Sequence, residues 1–165
     1  MKISKFFVLM TLLFGGYFLF TYLYSSKPKN GKLAPNIDAT LSNGNSFKLE
    51  HLKGKKVVLV FWGSWCMPCR VELPEIIDLQ KSTDGTFEIV SIALEKTKGN
   101  SQIVAQKMGF NWTYQLEETS DFVLTNKFAK AYGVSDIPAL FLIDENGILI
   151  GKKSIAELKE ILLKK

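Results

Sequence analysis

Residues 57–74 read VVLVFWGSWCMPCRVELP. The first six are apolar without a break, as expected of a short strand buried on both faces of a sheet. After Gly63-Ser64 the period changes. Leu73, Ile76, Ile77 and Leu79 fall at helical spacing, so a helix starts near Cys66 and Pro74 lies inside it, where a proline bends a helix. The two cysteines of the chain, Cys66 and Cys69, sit where strand passes into helix. A strand–dithiol–helix junction of this kind predicts an α/β protein with its chemistry at the carboxyl end of a central strand.

Outward toward the C-terminus, residues 87–94 (FEIVSIAL) read as a second buried strand. Asn100 or Ser101 is expected to cap a short helix ending at Gly109, and residues 112–116 to form a brief strand. Thr119 or Ser120 is expected to cap a helix carrying Leu124, Phe128, Ala131 and Tyr132, stopped by Gly133. Residues 139–143 (ALFLI) form a third apolar strand, and 148–150 return as its hairpin partner beyond the Asp144–Gly147 turn. Ser154-Ile-Ala-Glu157 is a capping box opening a last helix.

Outward toward the N-terminus, residues 37–41 and 46–49 flank Asn43-Gly44 and predict a β-hairpin. Residues 27–36 are rich in Lys, Pro, Asn and Gly and read as a linker to a domain spanning 37–165. Residues 6–24 form a run of 19 without a charge, preceded by Lys2 and Lys5. As a helix this run is about 28 Å long, close to a bilayer core of about 30 Å. A cleaved leader fits poorly, because cleavage after Ser26 would put Tyr24 at −3. A lipoprotein needs a cysteine at its start, and none precedes Cys66. Residues 1–26 therefore predict a signal-anchor transmembrane segment. Lys27, Lys29 and Lys32 follow the run and rival the lysines before it, so charge alone does not orient it.

The net charge of +5 over 165 residues shrinks when Lys2 and Lys5 are set aside, leaving 19 basic against 16 acidic residues. These are interspersed and form no basic block, so no nucleic-acid partner is expected. A bridge between Cys66 and Cys69 closes so short a loop that its stabilising effect is small. A closed zinc site needs four ligands, whereas the chain offers two cysteines and His51. Redox use remains, with a Cys66–Cys69 disulfide as the redox-active group and no other cofactor or metal. At a helix N-terminus Cys66 faces unpaired N–H groups that favour its thiolate. Cys69, one turn deeper, fits the resolving thiol. Pro68 pre-sets the first turn, and Met67 adds no charge.

The full pattern resembles the thioredoxin superfamily. Ala34-Pro35, Leu52-Lys-Gly54-Lys and Arg70-Val-Glu72-Leu-Pro74, with an insert of about 25 residues after Leu94, resemble its membrane-tethered TlpA/ResA-type branch. The resemblance implies a thioredoxin-like sandwich: a central mixed sheet flanked by helices, with the N-terminal hairpin and an inserted αβ segment. It implies that Ile137-Pro138 is a cis-proline step facing the cysteines, and that Trp65, Met67, Pro68, Ile137 and Pro138 meet the substrate. It assigns Glu72 as proton acceptor for Cys69, with its carboxyl buried; the aspartate that cytosolic thioredoxins place six residues before the first cysteine is Val60 here. His51, Arg70 and Asp136 read as surface charges.

The function expected is reduction of disulfides in extracytoplasmic partner proteins, as in cytochrome c maturation, with a membrane thiol protein as electron donor. The N-terminus is expected in the cytoplasm and the domain outside, since the cytosol is already reducing. An oxidase or isomerase of the same fold, or a non-catalytic binding module, are the alternatives.

Overall fold

The computed structural model describes residues 5–24, 28–83, 85–120 and 125–164. Thirteen segments follow in order: helix α1 (Lys5–Tyr24), strands β1 (Asp38–Thr40) and β2 (Ser46–Lys48), a 3-10 turn (Leu49–Leu52), β3 (Lys56–Trp62), α2 (Met67–Ser82), β4 (Phe87–Glu95), α3 (Asn100–Lys107), β5 (Tyr114–Thr119), α4 (Lys127–Tyr132), β6 (Ala139–Ile143), β7 (Leu149–Lys152) and α5 (Ile155–Leu163).

Five strands make one sheet in the order β5-β4-β3-β6-β7. β3 runs parallel to β4, and β4 to β5, while β6 is antiparallel to β3 and β7 to β6. The expected mixed sheet is therefore present, with the dithiol strand at its centre. The alternation along β3 shows why its apolar run has no polar gap. Val57, Leu59 and Phe61 pack on one face with Phe47, Phe128 and Tyr132. Val58, Val60 and Trp62 pack on the other with Leu73, Ile76, Phe110 and Leu158. Both faces are covered, so neither parity tolerates a polar side chain.

The hairpin of β1 and β2 pairs in antiparallel register, with Gly44 at a φ of 88° in its turn. Ser42, in the same turn, donates its N–H to Gln115 O of β5 at 2.7 Å. The segment expected as linker is docked from residue 31 onward. Leu33 bridges Ile148, Leu149 N–H donates to Lys32 O, and Ala34 N–H donates to Gly147 O. Before that, Lys32 N–H donates to Lys29 O, closing a turn that reverses the chain. The Asn30 side chain lies over Gly151, whose φ of 126° is one that residues with a side chain rarely adopt.

Two helix starts differ from the sequence reading. α3 begins after Gly99, which has a left-handed φ of 93° and no capping side chain. Glu117 of β5 instead accepts the N–H groups of Gly99 and Ser101 and the Ser101 hydroxyl. α4 is capped by Asn126, whose side chain accepts from the N–H groups of Phe128 and Ala129, rather than by Thr119 or Ser120. Thr119 ends β5, and Leu124 lies outside the described residues. The capping box of Ser154 and Glu157 forms as read.

In α1, Thr11 returns its hydroxyl to the carbonyls of Phe7 and Val8, which satisfies that polar group within the helix. Phe7, Leu12, Phe14, Tyr17 and Phe18 are exposed. Among the described residues, no helix is long and apolar enough to cross a membrane. The expected span covers residues 6–24, and the side chains of 6 and 21–24 lie outside the described ones.

Candidate active site

β3 ends at Trp62, and four residues carry the chain to α2. Gly63 is required by crowding: a Cβ there would lie 2.9 Å from Trp65 Nε1 and 3.1 Å from Leu94 O. The Trp65 indole is held by a hydrogen bond from Nε1 to Leu94 O at 2.9 Å, leaving the residue 55% exposed. Ser64 is held from both ends. Its N–H and hydroxyl donate to Glu95 Oε1 and Oε2, at 2.6 and 2.7 Å. Its carbonyl accepts the Arg70 Nε and Nη2 groups at 3.0 and 2.6 Å. Glu95, at the end of β4, is buried, so these donors replace the water it lost on folding. Arg70 is exposed, as expected of a surface charge, and its guanidinium also clamps the loop.

Cys66 is the N-cap of α2. Its sulfur accepts the Cys69 N–H at 3.2 Å, in the position a serine or aspartate oxygen takes in an ordinary cap. That N–H and the helix dipole stabilise negative charge on the Cys66 sulfur whenever the pair is reduced. Cys66 and Cys69 are joined as a disulfide with their Cα atoms 5.3 Å apart. Cys69 is fully buried and Cys66 is 4% exposed. Pro68 stands in the first turn of α2, beside the bridge.

Opposite the bridge the Ile137–Pro138 peptide is cis, placing Ile137 O 3.6 Å from Cys66 Sγ. Ile137 and Pro138 are half-buried, whereas Met67 and Val71 are among the most exposed apolar residues of the domain. Glu72 differs from expectation in its surroundings: its side chain is exposed rather than buried. It lines an open groove with Asp136, Pro138, Leu140 and Ile155. Leu73 and Ile76 of the same helix are buried toward the sheet, whereas Glu72 opens onto this groove. Asp136 is a surface charge as read. Its carboxylate lies below the ordinary range because Ser135 and Lys152 hydrogen-bond to it.

Trp62 is buried on the α2 face of the sheet, its ring edge-on to Phe110 at 5.3 Å. Its Nε1–H has no hydrogen-bond partner among the described residues.

Gly63, Ser64, Arg70 and Glu95 are the site residues that reading the sequence missed. One signal existed: Glu95 ends the apolar run of β4 with a carboxylate.

The comparisons with known proteins agree with this geometry. The profile of the AhpC/TSA family matches residues 30–152. The chain is 31% identical over 156 residues to the thiol-disulfide oxidoreductase ResA of Bacillus thuringiensis (strain Al Hakam), covering 90% of this chain and 87% of that one. It is 32% identical to the thioredoxin-like protein YneN of Bacillus subtilis (strain 168), over 76% of this chain and 74% of that one. Among solved structures, a thiol:disulfide interchange protein of the thioredoxin family from Chlorobium tepidum superposes with a TM-score of 0.63 at 26% identity, covering 82% of this chain and 97% of that one. The thioredoxin domain of a thiol-disulfide oxidoreductase from Bacteroides vulgatus gives a TM-score of 0.70 at 21% identity, over 82% and 99% of the two chains. This last likeness concerns the fold.

Proposed function

The chain belongs to the AhpC/TSA family and is a thioredoxin-like thiol–disulfide oxidoreductase, and on that premise we propose that it reduces disulfides in extracytoplasmic proteins. The observation that carries the assignment of roles is the sulfur of Cys66 at the cap of α2, receiving the Cys69 N–H while Cys69 is sealed from water.

The Cys66 thiolate attacks one sulfur of the client disulfide, and the other client sulfur leaves as a thiolate that takes a proton. Cys69 then loses its proton and attacks Cys66 Sγ, breaking the mixed disulfide. The client departs as a dithiol, carrying two electrons, and the Cys66–Cys69 bridge is restored. The thiolate must be both formed and nucleophilic, which a moderately lowered pKa provides. Glu72, three residues after Cys69 in α2 and lining the groove beside Pro138, is the group assigned to accept the Cys69 proton. The client backbone lies along the Ile137–Pro138 edge, with Trp65, Met67 and Pro68 meeting its side chains.

The redox-active bridge needs no other cofactor. A membrane-embedded thiol protein supplies electrons to regenerate the dithiol. The uncharged run of residues 6–24 supports anchoring as a single span, with the N-terminus in the cytoplasm and the domain outside. Apocytochrome c cysteines awaiting haem are the client class the family resemblance favours.

Trapping tests the reading. A Cys69→Ala variant exposed to envelope extract accumulates mixed disulfides through Cys66, and a Cys66→Ala variant accumulates fewer. Recovery of none would favour a binding module. Equilibration with dithiol buffers gives the direction: a potential above about −180 mV would mark an oxidase or isomerase instead.

A further inference from the structure

Two charges of opposite sign hold Ser64, and they differ in strength. The Glu95 carboxylate accepts the Ser64 N–H and hydroxyl, while the Arg70 guanidinium donates to the Ser64 carbonyl. Glu95 is 1% exposed, and both groups bonded to its carboxylate are neutral, so water and salt do little to weaken its field. Arg70 is exposed, and water screens it. The field left over at the loop is therefore negative.

The reactive sulfur lies within that field. Cys66 N–H returns to Gly63 O at 3.0 Å, which folds residues 63–66 into a turn at the end of β3. Trp65 pins the turn to Leu94 O, next to Glu95. Two residues span at most about 7 Å, which puts the carboxylate bonded to Ser64 on the order of 10 Å from Cys66 Sγ. At that distance, in an effective dielectric of about 20 to 40, a like charge moves the ionisation of a thiol upward by about half to one pH unit. The Cys69 N–H and the dipole of α2 act in the opposite direction. The other charged side chains about the site are exposed: Glu72 and Glu75 of α2, Lys96 after β4, and Asp136, paired with Lys152, before the cis-proline.

We propose that Glu95 is a positioning residue whose buried charge also limits the stability of the Cys66 thiolate, which keeps the bridge hard to reduce and the dithiol strongly reducing. Reduction of the bridge takes two electrons and one proton when Cys66 emerges as a thiolate and Cys69 as a thiol. A buried anion nearby raises the free energy of that product and leaves the uncharged disulfide as it was. The reduction potential falls accordingly, and the thiolate that does form is the more nucleophilic. The use made of this rests on the reductase reading above, in which the dithiol passes its electrons to a client disulfide.

Glu95→Gln tests it in the full chain in detergent micelles. The amide keeps an acceptor for one Ser64 donor and offers its own N–H to the hydroxyl oxygen, so the charge goes while the shape stays. On a Cys69→Ala background, the pH at which Cys66 is half ionised, read from the rate of iodoacetamide alkylation, should fall by about half to one unit. With both cysteines present, equilibration with dithiothreitol buffers at about pH 9 should favour the dithiol by about three- to tenfold more than in the parent, or about 15–30 mV. Glu95→Asp keeps the charge and shortens the reach, so its titration should stay with that of the parent. Glu95→Gln/Ser64→Ala, which removes the hydroxyl as well, carries the same test if the single variant does not fold. An unmoved or raised titration without the charge, or equal shifts in the Gln and Asp variants, would overturn the tuning and leave the reductase reading standing. A parent potential above about −180 mV would overturn the reductase reading, and with it the use proposed for Glu95.

Discussion

Glu95 takes both the backbone N–H and the hydroxyl of Ser64, two residues before Cys66, and so ties the end of β4 to the loop that carries the reactive sulfur. The carboxylate is buried, and Ser64 is nearly so. Glu95→Ala strands two buried donors, and should cost about 1–3 kcal/mol. Glu95→Gln keeps one acceptor and should cost less. Urea denaturation of the oxidised protein reads both; equal losses would show that bulk rather than hydrogen bonding matters there.

Arg70 acts on the same loop from the helix side. Its guanidinium is bonded to Ser64 O, and its own N–H donates to Cys66 O at 3.3 Å. A cation held on the carbonyl two residues before the attacking sulfur favours the thiolate. In Arg70→Gln, the ultraviolet thiolate titration of reduced Cys66 should move to higher pH by a few tenths of a unit, the size expected of a largely solvent-screened charge. Iodoacetamide alkylation at neutral pH should slow in proportion. An unmoved titration with lowered stability would reduce Arg70 to a purely mechanical clamp.

Gly63→Ala places a methyl group against the Trp65 indole and Leu94 O. The neighbour on one side is backbone, so the indole must give way and lose its bond to Leu94 O. A cost of about 1–3 kcal/mol is expected, as for other overpacked sites. Trp65 fluorescence should shift to the red while Trp62 and Trp112 stay buried.

Tyr132 offers a pH test. Its phenol is buried, donates to Pro35 O at 2.7 Å, and burial holds its pKa well above the ordinary value. The folded state thus resists ionisation that the unfolded chain allows. The resulting stability is fully present below about pH 10 and is lost as pH rises from there toward the folded value, by about 1.4 kcal/mol per pH unit. Tyr132→Phe should lower stability at neutral pH by about 1 kcal/mol, from the lost hydrogen bond. Its alkaline limb should also be shallower than that of the parent. Parallel limbs would mean that Tyr132 does not set the slope.

Glu72→Gln addresses the proton path. If the carboxylate accepts the Cys69 proton, resolution of the mixed disulfide slows at neutral pH and recovers as pH rises, because hydroxide takes over. Attack by Cys66 on the client should be unaffected. A resolution profile identical to the parent would remove Glu72 from the mechanism.

The strands and the dithiol were legible because their signals are local. The run of β3, the positions of Leu73 and Ile76, and Ser154 with Glu157 each declare themselves within a few residues. Ile137–Pro138 was read from family likeness, since an X–Pro bond alone favours trans. The caps of α3 and α4 were misplaced because several polar residues competed, and the choice fell to partners elsewhere: Glu117 reaches α3 from β5. Arg70 and Glu95 carry no periodic signature. Their roles arise only when the parallel register of β3 and β4 sets Trp62 opposite Ala93, bringing the two strand ends together. Glu72 was expected to be buried from family likeness; it shares the helical arc of Ile76 and Leu79, yet in the structure its side chain is exposed on a groove, which spacing along α2 does not reveal.

The stretch before β3 also touches both outer strands of the sheet. Residues 31–34 exchange backbone bonds with Leu149 of β7 and with Gly147 just before it, and Ser42 donates its N–H to Gln115 O of β5. An open strand edge is a template on which another chain can add itself. The first third of the sequence thus guards against self-association while it connects the domain to its N-terminal helix. A fragment cut to begin at about residue 45 would keep every cysteine and every residue of the redox loop, yet free both borders at once. It would be expected to aggregate before it could be assayed.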